Sequence, residues 1–260
     1  MLLVASLLLG ITGLCIGSFL TVLIIRIPQK ESLLGRSHCR HCKKTIAWYD
    51  LFPLVSYFSL RGRCRTCDKK ITSRYPIIEF LNAIIWISAG YSLIQRGFFD
   101  LTFLTFITIG FHCFSWSILL AAAWIDGDHY YLPDSLIIPL LLFCSAFSLL
   151  RLDQSFFNQW FGALEGFSLF FLIFAVTKGK GFGFGDVKLA VILGLLLGSQ
   201  FILLGLFLGV LLASLYAIIR MLQGQKTMKD VIPFAPFLVS GTFLVFLFQG
   251  MLSTWLSPLF

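Results

Sequence analysis

Residues 2–25 read LLVASLLLGITGLCIGSFLTVLII, and this stretch contains no charged side chain. A helix of that length is about 36 Å long, enough to cross the roughly 30 Å hydrocarbon core of a bilayer. A cleavable signal peptide would carry a basic segment ahead of a shorter apolar core, which is not the pattern here. We therefore expect residues 2–25 to form a transmembrane helix.

The rest of the chain has the same apolar character. Of its 260 residues, 58% are hydrophobic and 12% are charged, whereas soluble domains are roughly 25% charged. Apolar runs predict these membrane spans: 2–25, 76–95, 101–125, 135–150, 156–177, 187–199, 201–219 and 233–257. The fourth and sixth are short for a bilayer crossing. The sequence thus predicts an all-α polytopic membrane protein with about eight transmembrane helices and one large loop, residues 26–75.

The basic residues are distributed unevenly between the predicted connections. If the N-terminus lies outside, the cytoplasmic connections are 26–75, 126–134, 178–188 and 220–232, and these hold 18 of the 20 Lys and Arg residues. Positive charge collects on the cytoplasmic side of membrane proteins. The arrangement therefore predicts an inner-membrane protein with its N-terminus outside. We expect the basic loop to contact anionic lipid, and nucleic acid is not an expected partner.

Two acids occupy positions where a solvated charge is not expected. Asp126 directly follows the apolar run 118–125, and Asp186 ends the glycine-rich segment 183–186 ahead of another apolar run. Ionisable groups at a membrane border are costly and mark functional sites. Two carboxylates brought together there would share one proton, which is what aspartic proteolysis requires. The glycines would also let the backbone approach a partner closely and keep Asp186 out of a regular helix.

The residues alone leave the partner of Asp186 open. Asp126, Asp128 and Asp134 lie within nine residues, in one predicted cytoplasmic connection. Residues 132–135 also resemble the start of the fourth predicted span, with Asp134 or Ser135 near its N-cap, and Asp128 is suited to a solvated loop. His129 lies close to Asp126, although a single loop histidine usually has no catalytic role.

Four of the seven cysteines form a pattern typical of a metal site. Two Cys-x2-Cys turns, separated by 21 residues, lie in the loop predicted to be cytoplasmic: Cys39, Cys42, Cys64 and Cys67. Each turn presents two thiolates, so the two turns complete a tetrahedral zinc site. Disulfides are disfavoured in the cytoplasm. Four protein ligands leave no coordination position for water, so we predict a structural zinc and expect His38 and His41 to be solvated.

Six short motifs follow one another along the chain. They are Gly17-Ser18-Phe19-Leu20-Thr21-Val22 running to Arg26-Ile27-Pro28; the cysteine loop with Pro53, Ser56 and Leu60-Arg61-Gly62; Ser73-Arg74-Tyr75-Pro76 with Glu79; Ile125-Asp126 with Leu132-Pro133-Asp134; Gly183-Phe184-Gly185-Asp186-Val187-Lys188; and Ile232-Pro233-Phe234-Ala235-Pro236-Phe237. In this order they resemble the motifs of the bacterial prepilin peptidases, or type IV leader peptidases, over nearly the whole chain.

The resemblance implies that Asp126 and Asp186 are the catalytic pair of a membrane aspartic endopeptidase. Such enzymes cleave prepilins or pseudopilins after a glycine at the cytoplasmic face, where a basic leader meets an apolar helix. Many members also methylate the new N-terminus with S-adenosylmethionine, an activity associated with the cysteine loop. The implied division is a first transmembrane helix (1–25), a zinc-binding loop (26–75) and a membrane-embedded peptidase domain (76–260).

The chain departs from the family pattern at two positions. Thr21 stands where asparagine is usual, and Asp50-Leu51-Phe52-Pro53 stands where many members have an asparagine before Ile-Pro. Both departures lie in the half associated with methylation, and neither involves the two aspartates. The main alternative is a transporter that uses the membrane-border aspartates to carry protons or cations. Two others are a presenilin-like protease, which shares Gly-x-Gly-Asp, and a zinc loop that only docks partners.

Overall fold

The computed structural model describes residues 2–96, 103–150, 154–179, 183–224 and 231–256. The helices are α1 Leu2–Arg26, α2 Val55–Ser59, α3 Arg74–Gln95, α4 Phe103–His129, α5 Asp134–Leu149, α6 Gln154–Thr177, α7 Phe184–Leu197, α8 Ser199–Leu222 and α9 Ala235–Leu256. Within these ranges no β-strand forms, and pairing is limited to isolated bridges such as His38 with Thr45. The all-α prediction is confirmed.

Six helices in the described ranges are long and apolar enough to cross a membrane: α1, α3, α4, α6, α8 and α9. The short fourth and sixth predicted spans correspond to α5, with 16 residues, and α7, with 14 residues. The break predicted between the sixth and seventh spans is present, because Gly198 has a positive φ of 76° between α7 and α8.

One predicted boundary is wrong, and it concerns a candidate residue. Helix α4 does not end at residue 125 but continues to His129, so Asp126 and Asp128 are helical and not part of a loop. The hydrogen bond from Tyr130 N to the Asp126 carbonyl, 2.8 Å, closes the last turn. The apolar run ends before the helix does because backbone hydrogen bonding continues after the side chains become polar.

The chain divides into two compact units, Met1–Ile94 with Phe99–Ser117, and Gln95–Phe98 with Ile118–Phe260. In the first unit α1 packs closely on α3. A Cβ on Gly17 would lie 2.8 Å from the Cα of Glu79, and the Asn82 side chain donates a 2.7 Å hydrogen bond to the Gly13 carbonyl. Small residues and interhelical hydrogen bonds of this kind hold helices together in lipid.

Helix α7 is the buried centre of the second unit. Most of its side chains are buried, including Val187, Leu189 and Ile192. It meets α6 with glycine at the contact, where a Cβ on Gly166 would lie only 2.6 Å from the carbonyl oxygen of Ala190. A helix covered by protein on its sides has its hydrogen bonds satisfied within itself, so it need not match the bilayer thickness. This burial accounts for an apolar helix of only 14 residues.

We predict that Gly166→Ala destabilises the protein, because the added methyl group meets the backbone of α7 and forces the two helices apart. Overpacking of this kind costs about 1–3 kcal/mol. The matched control is Gly110→Ala in α4, where nothing lies within 4 Å of the added Cβ, so the better helix propensity of alanine should leave stability unchanged or higher. Thermal unfolding in detergent compares the two variants, and equal unfolding temperatures would contradict the prediction.

Candidate aspartic dyad and zinc site

Asp126 lies in the last turn of α4 and is 7% exposed. Its Oδ2 accepts a 3.0 Å hydrogen bond from the backbone N–H of Ala235, the first residue of α9. The first N–H groups of a helix have no partner within the helix, and its positive dipole end favours an anion. Pro233 and Pro236 flank this segment and have no N–H, so Ala235 supplies a donor that these two residues cannot.

Asp186 lies in the first turn of α7. Its Oδ2 accepts a 3.1 Å hydrogen bond from the N–H of Gly183, the residue just before the helix. The prediction that glycines keep Asp186 out of a regular helix is therefore wrong, because the carboxylate itself stabilises the helix start. The predicted close approach is present: a Cβ on Gly185 would lie 3.2 Å from the Cβ of Leu132.

The structure brings Asp126 and Asp186 close enough to interact electrostatically. Burial, and then the negative charge of Asp126, raise the pKa of Asp186 from 3.8 to about 6. Asp186 lies outside the six membrane-length helices. Two carboxylates in these conditions do not both ionise readily, so the pair retains one proton up to a pH of about 6.

The neighbouring acids have other surroundings. Asp134 is the first residue of α5. Its Oδ1 lies 2.7 Å from Lys188 Nζ, and the two groups form an ion pair. The helix begins at Asp134, so the prediction that Asp134 or Ser135 lies near an N-cap is confirmed; the N-cap itself is Pro133, and no side chain makes a capping hydrogen bond. Asp128 is exposed near the end of α4. The negative charge that raises the pKa of Asp186 comes from Asp126 and not from Asp128 or Asp134.

The four loop cysteines lie together in the first unit. Their Sγ atoms are all within 4.8 Å of one another, and the Sγ atoms of Cys39 and Cys67 are 3.8 Å apart. Sulfurs held about 2.3 Å from a tetrahedral zinc ion lie about 3.8 Å from each other, so the donor set fits zinc. All four are free thiols, and His38 and His41 are exposed, as expected.

Two equivalent backbone turns produce this cluster. Cys39 N donates to the Lys44 carbonyl, and Cys64 N donates to the Lys69 carbonyl, each at 2.9 Å. In each turn the residue after the second cysteine adopts positive φ, 60° at Lys43 and 57° at Asp68. The repeated geometry presents two sulfurs from each turn to one point, which is how zinc knuckles are built.

Sequence reasoning missed the backbone donor to Asp126. The Ile-Pro-Phe-Ala-Pro-Phe motif at residues 232–237 points to this segment, but a backbone N–H leaves no mark in a residue pattern. Only the approach of α9 to α4 reveals that Ala235 donates to Asp126.

Two family models match the parts of the chain that carry the four cysteines and the two aspartates. Residues 11–93, which contain the four cysteines, match the family model described as the bacterial peptidase A24 N-terminal domain. Residues 113–218, which contain both aspartates, match the type IV leader peptidase family. No solved structure matches the chain.

Several curated relatives are similar over most of their length. A prepilin leader peptidase/N-methyltransferase of Bacillus subtilis is 31% identical over 92% of this chain and 93% of the relative. One of the same name from Pseudomonas aeruginosa is 32% identical over 87% and 84%. A type 4 prepilin-like proteins leader peptide-processing enzyme of Escherichia coli is 32% identical over 88% of each chain. On these matches, together with the two aspartates and the cysteine turns within them, the chain belongs to the type IV leader peptidase family.

Proposed function

We propose that this multi-pass inner-membrane enzyme is a prepilin leader peptidase whose catalytic pair is Asp126 and Asp186. The observation that carries the proposal is electrostatic: the charge of Asp126 contributes to raising the pKa of Asp186 to about 6. Two acids from α4 and α7, 60 residues apart in sequence, interact in this way only because the fold brings them together. A carboxylate pair with one proton is the machinery of aspartic proteolysis.

The two carboxylates have different surroundings and therefore different roles. Asp126 receives the Ala235 N–H at the start of α9, which stabilises negative charge, so it acts as the base that takes a proton from water. Asp186 holds the shared proton and donates it towards the scissile carbonyl oxygen. The water oxygen bonds to the carbonyl carbon, the carbon–nitrogen bond then breaks, and the leaving nitrogen takes a proton.

The proposed substrates are prepilins or pseudopilins. The relatives named above are prepilin leader peptidases, and the family resemblance implies cleavage after a glycine, where a basic leader meets an apolar helix. Asp126 follows an apolar run and lies in the last turn of its helix. This position suits cleavage of a bond at the membrane surface. We propose that this surface is cytoplasmic and that the N-terminus lies outside, since 18 of 20 basic residues then lie on the cytoplasmic side.

A second activity is proposed for the first part of the chain. The relatives from Bacillus subtilis and Pseudomonas aeruginosa are also named N-methyltransferases. S-adenosylmethionine would supply the methyl group, and the free amine of the cleaved substrate would receive it. The loop 26–75 would be stabilised by zinc at the four cysteines, and residues 76–260 would form the peptidase domain. Neither the family models nor the relatives support the transporter alternative.

We expect Asp126→Asn and Asp186→Asn each to reduce cleavage of a prepilin substrate by more than about 1,000-fold, because either change removes the shared proton or the base. Asp128→Asn is the matched control, since it makes the same change two residues away on an exposed position and should stay within about twofold of wild type. Mass spectrometry of the new N-terminus measures cleavage. Retained cleavage in either dyad variant would reject the assignment.

The raised pKa of Asp186 predicts a pH dependence. A carboxyl group with a pKa of about 6 keeps its proton below that pH and loses it above, so kcat/KM should fall as pH rises through an apparent pKa near this value.

The free energy of unfolding should also fall as pH rises. Between pH 3.8 and about 6 the folded state binds the proton of Asp186 and the unfolded state does not, so the folded state loses stability as pH rises through this window. In Asp126→Asn the stability window should move to lower pH, because the repelling charge is gone. An unchanged window would contradict the coupling.

Replacing a proposed zinc ligand should release metal. Cys39→Ser and Cys64→Ser each leave three thiolates, so the zinc bound after dialysis should fall to less than about half of the wild-type amount. Cys15→Ser, at a cysteine of α1 outside the cluster, is the control and should keep all of it. Elemental analysis of purified protein measures the ratio. Full retention of zinc in both ligand variants would defeat the tetrathiolate site.

A further inference from the structure

The loop between α1 and α3 exposes a group of large apolar side chains. They lie in residues 48–58, which read Trp-Tyr-Asp-Leu-Phe-Pro-Leu-Val-Ser-Tyr-Phe. Trp48 is 74% exposed, Phe52 54%, Val55 68% and Phe58 70%, and we call these four residues the apolar patch. Apolar side chains that are grouped on a surface mark a site of contact with a partner. The position of the patch indicates which partner this is.

The backbone of the apolar patch is attached to the membrane-length helix α3. Leu54, in the middle of the segment, donates a 2.8 Å hydrogen bond from its N–H to Oε2 of Glu79. Glu79 is five residues after Arg74, the first residue of α3, and this is about 7.5 Å along the helix axis. Helix α3 has 22 residues, just enough to cross the apolar core of a bilayer. The hydrogen bond therefore holds the segment beside the first two turns of a membrane span.

Local contacts fix the segment at this level. Leu54 has φ 59° and ψ −52°, a conformation that persists only where the surroundings enforce it. The Ser56 hydroxyl donates a 3.0 Å hydrogen bond to the Tyr49 carbonyl, which joins the two halves of the segment. Helix α1 is close at the same level, because a Cβ on Gly17 would lie 2.8 Å from the Cα of Glu79. The exposed side chains of the patch thus have a defined depth relative to both helices.

The outer surfaces of α1 and α3 are apolar at the same level. Phe19 of α1 is 53% exposed, and Ile77 and Phe80 of α3 are 45% and 54% exposed. Both helices have the length and composition of membrane spans, so side chains on their outer surfaces contact lipid. The lipid that surrounds these helices is therefore also next to the apolar patch.

The charges around the apolar patch favour a lipid surface over a protein partner. Residues 26–74 contain 12 of the 20 Lys and Arg residues and only three acids. A basic segment beside a span is attracted to anionic headgroups. Within residues 48–58 the only charged side chain is Asp50, and Arg65 donates two hydrogen bonds to it, at 2.6 and 2.8 Å. This pairing reduces the cost of bringing the carboxylate close to lipid.

We propose that the apolar patch inserts into the interface of the bilayer and holds the cysteine loop against the membrane surface. Trp48 occupies the headgroup level, where tryptophan is enriched in membrane proteins, and the other three side chains contact the acyl chains. Apolar segments that lie in the interface enter it by about 5–10 Å, which agrees with an attachment about 7.5 Å along α3. This contact is independent of the activity proposed for Asp126 and Asp186.

Labelling of the unmodified protein from within the lipid tests the proposal. The full chain is reconstituted in nanodiscs of phosphatidylethanolamine and phosphatidylglycerol, with a phospholipid that carries a photoactivatable diazirine on its acyl chain. After irradiation, mass spectrometry of peptides locates the label. We expect residues 48–58 to carry at least fivefold more label per residue than residues 37–45, which contain the first cysteine turn. Equal labelling of the two segments overturns the proposal.

A cross-linking side chain at Phe58 identifies what covers the apolar patch. Phe58→p-benzoylphenylalanine keeps an aromatic ring at an exposed position, and Thr45→p-benzoylphenylalanine is the matched control at an exposed position in the cysteine turn. After irradiation in bacterial membranes, we expect the variant at Phe58 to cross-link phospholipid at least fivefold more than the variant at Thr45. Cross-linking at Phe58 to a second copy of this chain or to another protein, in place of lipid, overturns the proposal.

Leader cleavage, measured in the same nanodiscs, separates this proposal from the proposed function. Absent cleavage with lipid label in residues 48–58 rejects only the peptidase assignment. Intact cleavage with equal label in the two segments rejects only the membrane contact of the loop.

Discussion

The contact between α6 and α7 is made almost backbone to backbone, because Gly162, Gly166 and Gly194 leave no side chain between the two helices. In lipid the hydrophobic effect does not drive helices together, so close packing of this kind supplies much of the stability. It also surrounds α7 with protein, and so permits a helix of 14 residues that carries an acid in its first turn. Asp186 depends on this contact for both its position and its low-dielectric surroundings.

The second carboxylate is held by a different device. Asp126 ends an apolar helix and receives the N–H of Ala235 at the start of α9. Asp186 thus stabilises the start of its own helix, α7, whereas Asp126 accepts a hydrogen bond from the start of α9. Each carboxylate has a donor, yet the negative charge of Asp126 still raises the pKa of Asp186. Below a pH of about 6 the pair therefore retains one proton, and this protonation state suits the acid–base role proposed for it.

The first unit uses its charged and polar groups differently. Two matching turns bring four thiols together, and the rest of the loop is arranged around Glu79 with a strained residue, Leu54. Metal binding would stabilise the ordering of a loop that has few buried apolar residues of its own. The unit thus contains a cysteine cluster suited to structural zinc and a cavity of about 620 Å³.

The sequence by itself determined the membrane class, the cysteine cluster and the two segments that carry the aspartates, because composition, spacing and apolar run length act locally. It left the choice among Asp126, Asp128 and Asp134 open until the family motifs were considered, and it placed the end of α4 too early. Only the tertiary structure decided that Ala235 donates to Asp126, that Lys188 pairs with Asp134, and that Leu54 donates to Glu79. These facts depend on distances between segments far apart in the chain, and such distances are set by how helices pack rather than by any local pattern of residues.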